Sequence, residues 1–218
     1  MAGSVPYGIL QEVRQMKKVI TIGREFGSGG RAIGRRIAEK LQIAYYDQEI
    51  VTEIAKRTKL SEEYVERITE DRPYMAYPVH AGMSFHTAYY AYTEFDRSLT
   101  VVAEQHNIIK ELADKSDCII VGRCADYILR DNPDCISFFI QNRPDVRIKR
   151  IVESMHISEE EAKSLMEKRD KARAAYYNYY TNKVWGASAS YDLSINASIL
   201  GIDATVSFIK DFVEQKYK

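Results

Sequence analysis

The chain is short of several residue types, and each shortage removes a class of function. Its 218 residues include three cysteines, four histidines, five prolines and one tryptophan. Cys118, Cys124 and Cys135 are odd in number, two lie in apolar runs, and none has zinc-ligand spacing, so they read as reduced thiols of a cytosolic protein. His80, His86, His106 and His156 stand singly, and no metal cluster is expected from them. Long hydrophobic runs are missing as well, and residues 1–18 hold no long apolar core ahead of a cleavage site. Neither a membrane nor a secretory signal is therefore expected, and the cytoplasm is the default compartment. An excess of either charge is also lacking, since 31 Lys and Arg balance 31 Asp and Glu. Without a global field, nucleic acid and anionic membranes are not expected partners, and any positive potential has to be local. The length suits one domain, or one core with an inserted helical lid.

What the chain does have is a tight glycine cluster. Residues 19–41, VITIGREFGSGGRAIGRRIAEKL, read as a buried strand, a glycine-rich turn and a basic amphipathic helix. Gly27, Gly29 and Gly30, spaced by Ser28, allow a curled backbone with several N–H groups pointing inward, and the helix adds the positive end of its dipole. That is a phosphate cradle. It departs from the G-x-x-x-x-G-K-[ST] loop, which wants lysine where Gly30 stands; Arg31 is next in line. Arg31, Arg35 and Arg36 lie near the helix start, where the dipole favours acids, and so suggest an anionic ligand. A strand-to-helix turn with a solvated basic face is the plainer alternative.

Further along, strands and helices alternate. Strands are expected at 17–23, 43–47, 117–122, 135–141 and 191–197, and helices at 30–41, 48–58, 61–70, 94–115, 144–155, 158–180 and from Asp203. Ser61 suggests a capping box for the third helix. In the 94–115 helix, Leu99, Val102, His106, Ile109 and Leu112 or Ala113 share a face; in the last, Val206, Ile209, Phe212 and Val213 point inward. Residues 72–92 mix prolines, aromatics and glycine and read as an irregular excursion or a partner surface. The 16 tyrosines cluster at 89–92 and 176–180, and read as half-buried packing faces. Alternation of this kind indicates a parallel α/β sheet flanked by helices. The glycine loop, Asp47 and the turn from Arg123 to Asp126 all follow strands, which places a candidate site on one sheet edge. Arginines at 143–173 lie in a helical hairpin that could close over phosphates.

With those residues in place, the chain resembles the P-loop nucleoside monophosphate kinases, in particular the cytidylate kinase-like family. The resemblance rests on ITIGREFGSGGRAIGRRIAEKL, YYDQEIV, IIVGRCADYIL, RPDVRIKRI, EKRDKARAAYYNYYTNKVWG and YDLSIN, and spans nearly the whole chain. It implies a single P-loop kinase-like domain over 1–218: a core at 17–71, 94–142 and 191–217, an insertion at 72–93 and a lid-like helical region at 143–185. It implies transfer of the γ-phosphoryl of ATP to a nucleoside monophosphate such as CMP or dCMP, with Mg2+ bridging the donor phosphates. On that reading Gly27, Ser28, Gly29, Gly30 and Arg31 hold the donor, and Asp47, Arg123 and Asp126 meet the acceptor. Arg31, Arg123, Arg147, Arg169 and Arg173 supply catalytic charge, with Arg143 and Arg150 as further lid candidates.

The departures from that family are specific. Cytidylate kinases carry lysine at the Gly30 position and threonine at the Ala32 position, and an acid often precedes their glycine-arginine pair where this chain has Val121. The pair Arg169–Asp170 is kept, but the stretch after it reads KARAAYYNYY. Two other readings follow: a nucleotide-binding regulatory protein with a degenerate kinase site, and a partner-binding α/β domain built on 72–92. That aromatic stretch is also what a homodimer would use.

Overall fold

The computed structural model describes residues 16–70 and 85–218. Five strands form one sheet: β1 (Val19–Arg24), β2 (Ala44–Tyr46), β3 (Cys118–Val121), β4 (Cys135–Gln141) and β5 (Leu193–Asn196). Their order is β2-β3-β1-β4-β5 and every pairing is parallel, with Ile20 opposite Ile119 on one side and Ile136 on the other. Parallel strands need crossover helices, which cover both faces and make the central strands apolar throughout. The period-two alternation of strand side chains divides the core accordingly. Val19, Cys118 and Ile120 face α2 (Gln48–Thr58), α3 (Glu62–Glu70) and α4 (Phe85–Lys115). Ile20, Ile22, Ile119, Val121 and Phe138 face α1 (Gly30–Leu41) and α8 (Ala197–Lys216). The expected parallel α/β fold is what the chain adopts.

The remaining elements are α5 (Ala125–Ile128), α6 (Pro144–Met155), α7 (Glu159–Thr181) and a 3-10 turn at Ser188–Ser190. Pro144 opens α6, and a reciprocal capping box between Ser158 and Glu161 opens α7. At α3 the expected box is only half formed: Ser61 Oγ accepts from the Tyr64 N–H at 3.2 Å, but the residue at that position is a tyrosine and cannot return a carboxylate. Two other expectations are corrected. Residues 85–92 are helical, so α4 begins nine residues before Glu94; the rest of the 72–92 stretch, up to residue 84, lies outside the described residues. The buried stripe of α4 runs through Ser98, Val101, Gln105, Ile108, Ile109 and Ala113, whereas Leu99 is exposed. Polar Ser98 and Gln105 disguise that stripe, because both are buried for hydrogen bonding.

At the other end, α8 starts six residues before Asp203 and breaks at Gly201, whose φ of 73° and ψ of 173° are not helical. Phe212 keeps 38% of its surface in solvent while its ring meets Phe138 edge-on at 5.9 Å. Of the tyrosine cluster on α7, Tyr176 and Tyr177 are buried and Tyr179 is exposed. All three cysteines are free thiols, and burial pushes Cys118 and Cys135 up to about 12, which leaves them unreactive.

Candidate active site

The glycine turn between β1 and α1 is held from outside by side chains that take up its carbonyls. Arg147 Nε donates to Phe26 O at 2.8 Å, Arg150 Nη1 to Gly27 O at 2.8 Å, and Asn142 Nδ2 to Ser28 O at 3.2 Å. Three consecutive carbonyls are thus turned away from the loop's concave side. Gly27 and Gly29 have φ of 75° and 89°, a region other residues enter at a cost, and a Cβ on Gly27 would meet Ile151 at 2.9 Å. The first turn of α1 leaves amides without intrahelical acceptors. Gly30 N–H reaches Ser28 Oγ at 3.3 Å, and the N–H groups of Arg31 and Ala32 have no acceptor among the described residues. Amides at a helix N-terminus, free and convergent, suit a phosphate.

Beside the loop lies a narrow cleft whose one end is cationic. Arg24, Arg123 and Arg173 converge there on a single buried carboxylate, Glu70 at the end of α3. Arg24 Nη2 is 2.7 Å from Glu70 Oε1, Arg123 Nη2 is 3.5 Å from the same oxygen, and Arg173 Nη2 is 2.9 Å from Oε2. Arg123 also donates to the Thr69 hydroxyl. Burial alone would raise the Glu70 carboxyl, but the charges of Arg24, Arg123 and Arg173 outweigh it and hold the group well below the usual carboxylate range. Even so, Arg24 Nε, Arg123 Nε and Arg123 Nη2 are buried with no hydrogen-bond partner among the described residues. Those buried guanidinium donors keep hydrogen-bonding capacity, beyond Glu70 and the Asp47 carboxylate 3.8 Å from Arg24 Nη2, for a further acceptor such as water or an anion.

The other end of the cleft is aromatic. Tyr176, Tyr177, Trp185 and Tyr191 line it with Asp126, whose Oδ2 accepts from the Tyr177 hydroxyl at 2.7 Å. Phe139 anchors this wall, with Tyr191 at 4.8 Å and Trp185 edge-on at 5.3 Å between ring centroids. Burial raises the Asp126 carboxyl above its ordinary value, partly offset by the tyrosine's hydrogen bond. The turn joining the two ends is strained: Gly122, Arg123 and Cys124 have φ of 75°, 56° and 53° in succession. Left-handed conformations at non-glycine residues cost about 1–3 kcal/mol each. Gln105 Nε2 supports the turn by donating to Arg123 O at 3.0 Å.

The sequence-predicted residues divide into groups. Gly27, Ser28, Gly29 and Gly30 form the cradle, and Arg123, Arg173 and Asp126 line the cleft. Asp47 is adjacent, 3.8 Å from Arg24 Nη2, and is bound by Arg31, whose Nε lies 2.7 Å from Asp47 Oδ2. The Arg31 guanidinium is thus on Asp47 and half exposed, and Arg31 joins the cradle through its amide. Arg147 is a buried brace: besides Phe26 O it pairs with Asp170 and, at 3.3 Å, with Glu25 Oε2. Arg169 lines a different cleft, with Ser61, Glu63, Tyr64, Glu66 and Arg67. Arg143 pairs with Asp145 at the start of α6. Sequence reasoning missed Arg24, Glu70 and Asn142 altogether. Arg24 was visible as a charge closing a buried strand, but nothing in the sequence marks Glu70, 46 residues away, as its partner.

The order of elements, the glycine cradle and the two-ended cleft come together over one stretch of chain, and residues 19–199 match the cytidylate kinase-like family. The chain belongs to that family. A cytidylate kinase from Methanopyrus kandleri is 24% identical over 209 residues, covering 90% of this chain and 93% of the relative. A crystal structure of an uncharacterized protein from Eubacterium ventriosum is 30% identical with a TM-score of 0.68, covering 91% of this chain and 99% of that one. A shikimate kinase from Bacteroides thetaiotaomicron, 17% identical with a TM-score of 0.52, covers 90% of this chain and 98% of its own and shares the fold. This family member is accordingly a kinase, a phosphotransferase, on the parallel α/β fold it shares with that shikimate kinase. ATP and a divalent metal belong to such kinases in general. No described helix is long and apolar enough to cross a membrane.

The cradle fits phosphates, whereas the side chains around it do not fit a metal held by the protein. Arg31 stands after Gly30, the Ser28 hydroxyl is buried against the Gly30 amide, and Asp47 is taken up by arginine. Among the described residues no three His, Cys, Asp or Glu side chains gather to hold an ion.

Proposed function

We propose that the protein transfers the γ-phosphoryl of ATP to the phosphate of CMP or dCMP. The observation that carries this reading is the two-ended cleft beside the phosphate cradle: a cationic end where Arg123 and Arg173 serve the acceptor's phosphate, and an aromatic end with Asp126 for its base and sugar. The Arg31 and Ala32 amides hold donor phosphate. Arg123 and Arg173 neutralise the acceptor phosphate, so that two anions can approach each other. Asp126 accepts a hydrogen bond from the base's amine or a sugar hydroxyl, held in place by Tyr177. Asp47 lies at the acceptor side next to Arg24. In such chemistry the protein contributes mostly position and charge. Mg2+ would be carried by the nucleotide's phosphates and water, since no side chain among the described residues is offered to it.

ADP release from Mg-ATP with CMP, dCMP, UMP, AMP and GMP tests the reading; cytidylate-dependent turnover is expected. A regulatory nucleotide-binding role is favoured by one observation, glycine at position 30 where the loop's lysine belongs. It predicts ATP binding with no turnover on any acceptor. We place the reaction in the cytoplasm, as the free thiols suggest. A homodimer would use Tyr89 and Tyr92 of α4, which expose 58% and 69% of their surface, and sedimentation velocity tests it.

A further inference from the structure

Arg24 lies in a slot made by two glycines. A Cβ on Gly30 would stand 2.6 Å from Arg24 Cβ and 3.2 Å from its Cγ, a clash with the root of the side chain, which cannot swing away. On the other side, a Cβ on Gly122 would fall 1.6 Å from Arg24 Nη1. The spacing gives this arrangement a meaning. In G-x-x-x-x-G-K-[ST] the first glycine lies six residues before the lysine. Position 24 is the place of that first glycine and position 30 the place of the lysine. This chain has exchanged the two: the cation is at 24 and the glycine at 30, and the packing makes side chains at both positions incompatible.

We propose that Arg24 is the cation that meets the phosphoryl group in transit, taking the part of the lysine absent from position 30. Its side chain is 6% exposed and lines the cleft beside Arg123 and Arg173, with Nη2 on Glu70 and Nε buried without a partner among the described residues. Arg31 offers no such placement, because its guanidinium is half exposed and bound to Asp47. The inference rests on the kinase reading above. In the transfer, an acceptor phosphate oxygen bonds to the γ-phosphorus while the bond from that phosphorus to the β,γ-bridging oxygen breaks, and the electron pair leaves with ADP. Arg24 exchanges no proton. Its N–H groups bond the equatorial oxygens on which charge gathers, where a guanidinium fork acts bidentately.

The test compares wild type, Arg24→Gln, Arg24→Gly and the swap Arg24→Gly/Gly30→Lys, each checked for folding by circular dichroism. In Arg24→Gln, kcat should fall about 100-fold or more, the loss typical of one transition-state donor, with the KM values for ATP and CMP within about threefold. The swap should recover at least about tenfold in kcat over Arg24→Gly, because lysine then has both the room and the position it requires. A kcat kept within about threefold in Arg24→Gln, with the loss in KM for CMP, would mean that Arg24 only shapes the acceptor end, and overturns the proposal. A swap no better than Arg24→Gly overturns it as well, and that pair decides if Arg24→Gln does not fold. If wild type binds ATP but turns over no acceptor, the kinase reading fails separately. Calorimetry then decides for Arg24: Arg24→Gln should weaken ATP more than ADP, and equal weakening overturns the inference.

Discussion

Replacing Glu70 by glutamine keeps the side chain's size and strips the negative charge from the centre of three guanidinium groups. Glu70 is 7% exposed, and Arg24, Arg123 and Arg173 all lie within 3.5 Å of its oxygens. Removing one partner of a buried ion pair costs about 3–5 kcal/mol, because the remaining charge stays buried and uncompensated. In a chain of this length each kcal/mol moves the melting midpoint by about 2–4 °C, so the expected drop is on the order of 10 °C. Inorganic phosphate should restore much of it, since an anion can take the vacated place; at 100 times its Kd a ligand adds about 2.7 kcal/mol. The acid side gives a second readout. The Glu70 carboxyl is held below its ordinary value of 4.5, so its contribution is present above that pH and is lost as pH falls through the lower, folded value. Glu70→Gln should remove this part of the acid dependence. Differential scanning fluorimetry over pH and phosphate concentration measures both effects. A midpoint shift below about 2 °C, or equal phosphate stabilisation of both proteins, refutes the idea that Glu70 is the anion balancing this cluster.

Three further expectations concern single contacts. Asp126→Asn should raise KM for CMP at least about tenfold while leaving KM for ATP within about twofold, and equal loss of both would move Asp126 out of the acceptor end. Arg31→Ala removes a half-exposed ion pair with Asp47, so it should alter stability by less than about 1 kcal/mol and lower kcat by less than about tenfold; a 100-fold fall would return the loop's cation to Arg31. Arg147→Met frees Phe26 O and leaves Asp170 and Glu25 without their shared partner. It should lower stability by about 3–5 kcal/mol and raise KM for ATP more than KM for CMP, as steady-state kinetics would report.

Much of this was legible in the sequence because local pattern and tertiary role agree. The strand at 135–141 and the helices at 30–41, 48–58 and 144–155 have the bounds expected from periodicity. Each has its apolar positions on the face that packs. The glycine cluster announced its own conformation, since a backbone that must curl needs Gly27 and Gly29 at positive φ. Where pattern and role part, the sequence misleads. Gln105 reads as a surface residue on α4 but is buried to hold the Arg123 carbonyl and the Tyr176 hydroxyl. Arginines at 123, 147 and 173 look alike as letters, yet one lines a strained turn, one braces a loop and one faces the cleft beside Glu70. Arg24 passed unremarked because its significance is relational: it needs Gly30 and Gly122 to be small, and no local window contains all three.

The three carbonyl contacts around the glycine turn have a mechanical consequence. Asn142, Arg147 and Arg150 all come from one short stretch at the end of β4 and the first turns of α6, and Arg147 continues to Asp170 on α7. Phe26 N–H returns to the same Asp170 at 2.8 Å, closing a ring of bonds. The turn and the α6–α7 hairpin are therefore fastened as one body, and a hinge between them would have to break these bonds together. Amide exchange at Phe26 is accordingly expected to track the opening of α6 rather than the breathing of an isolated loop.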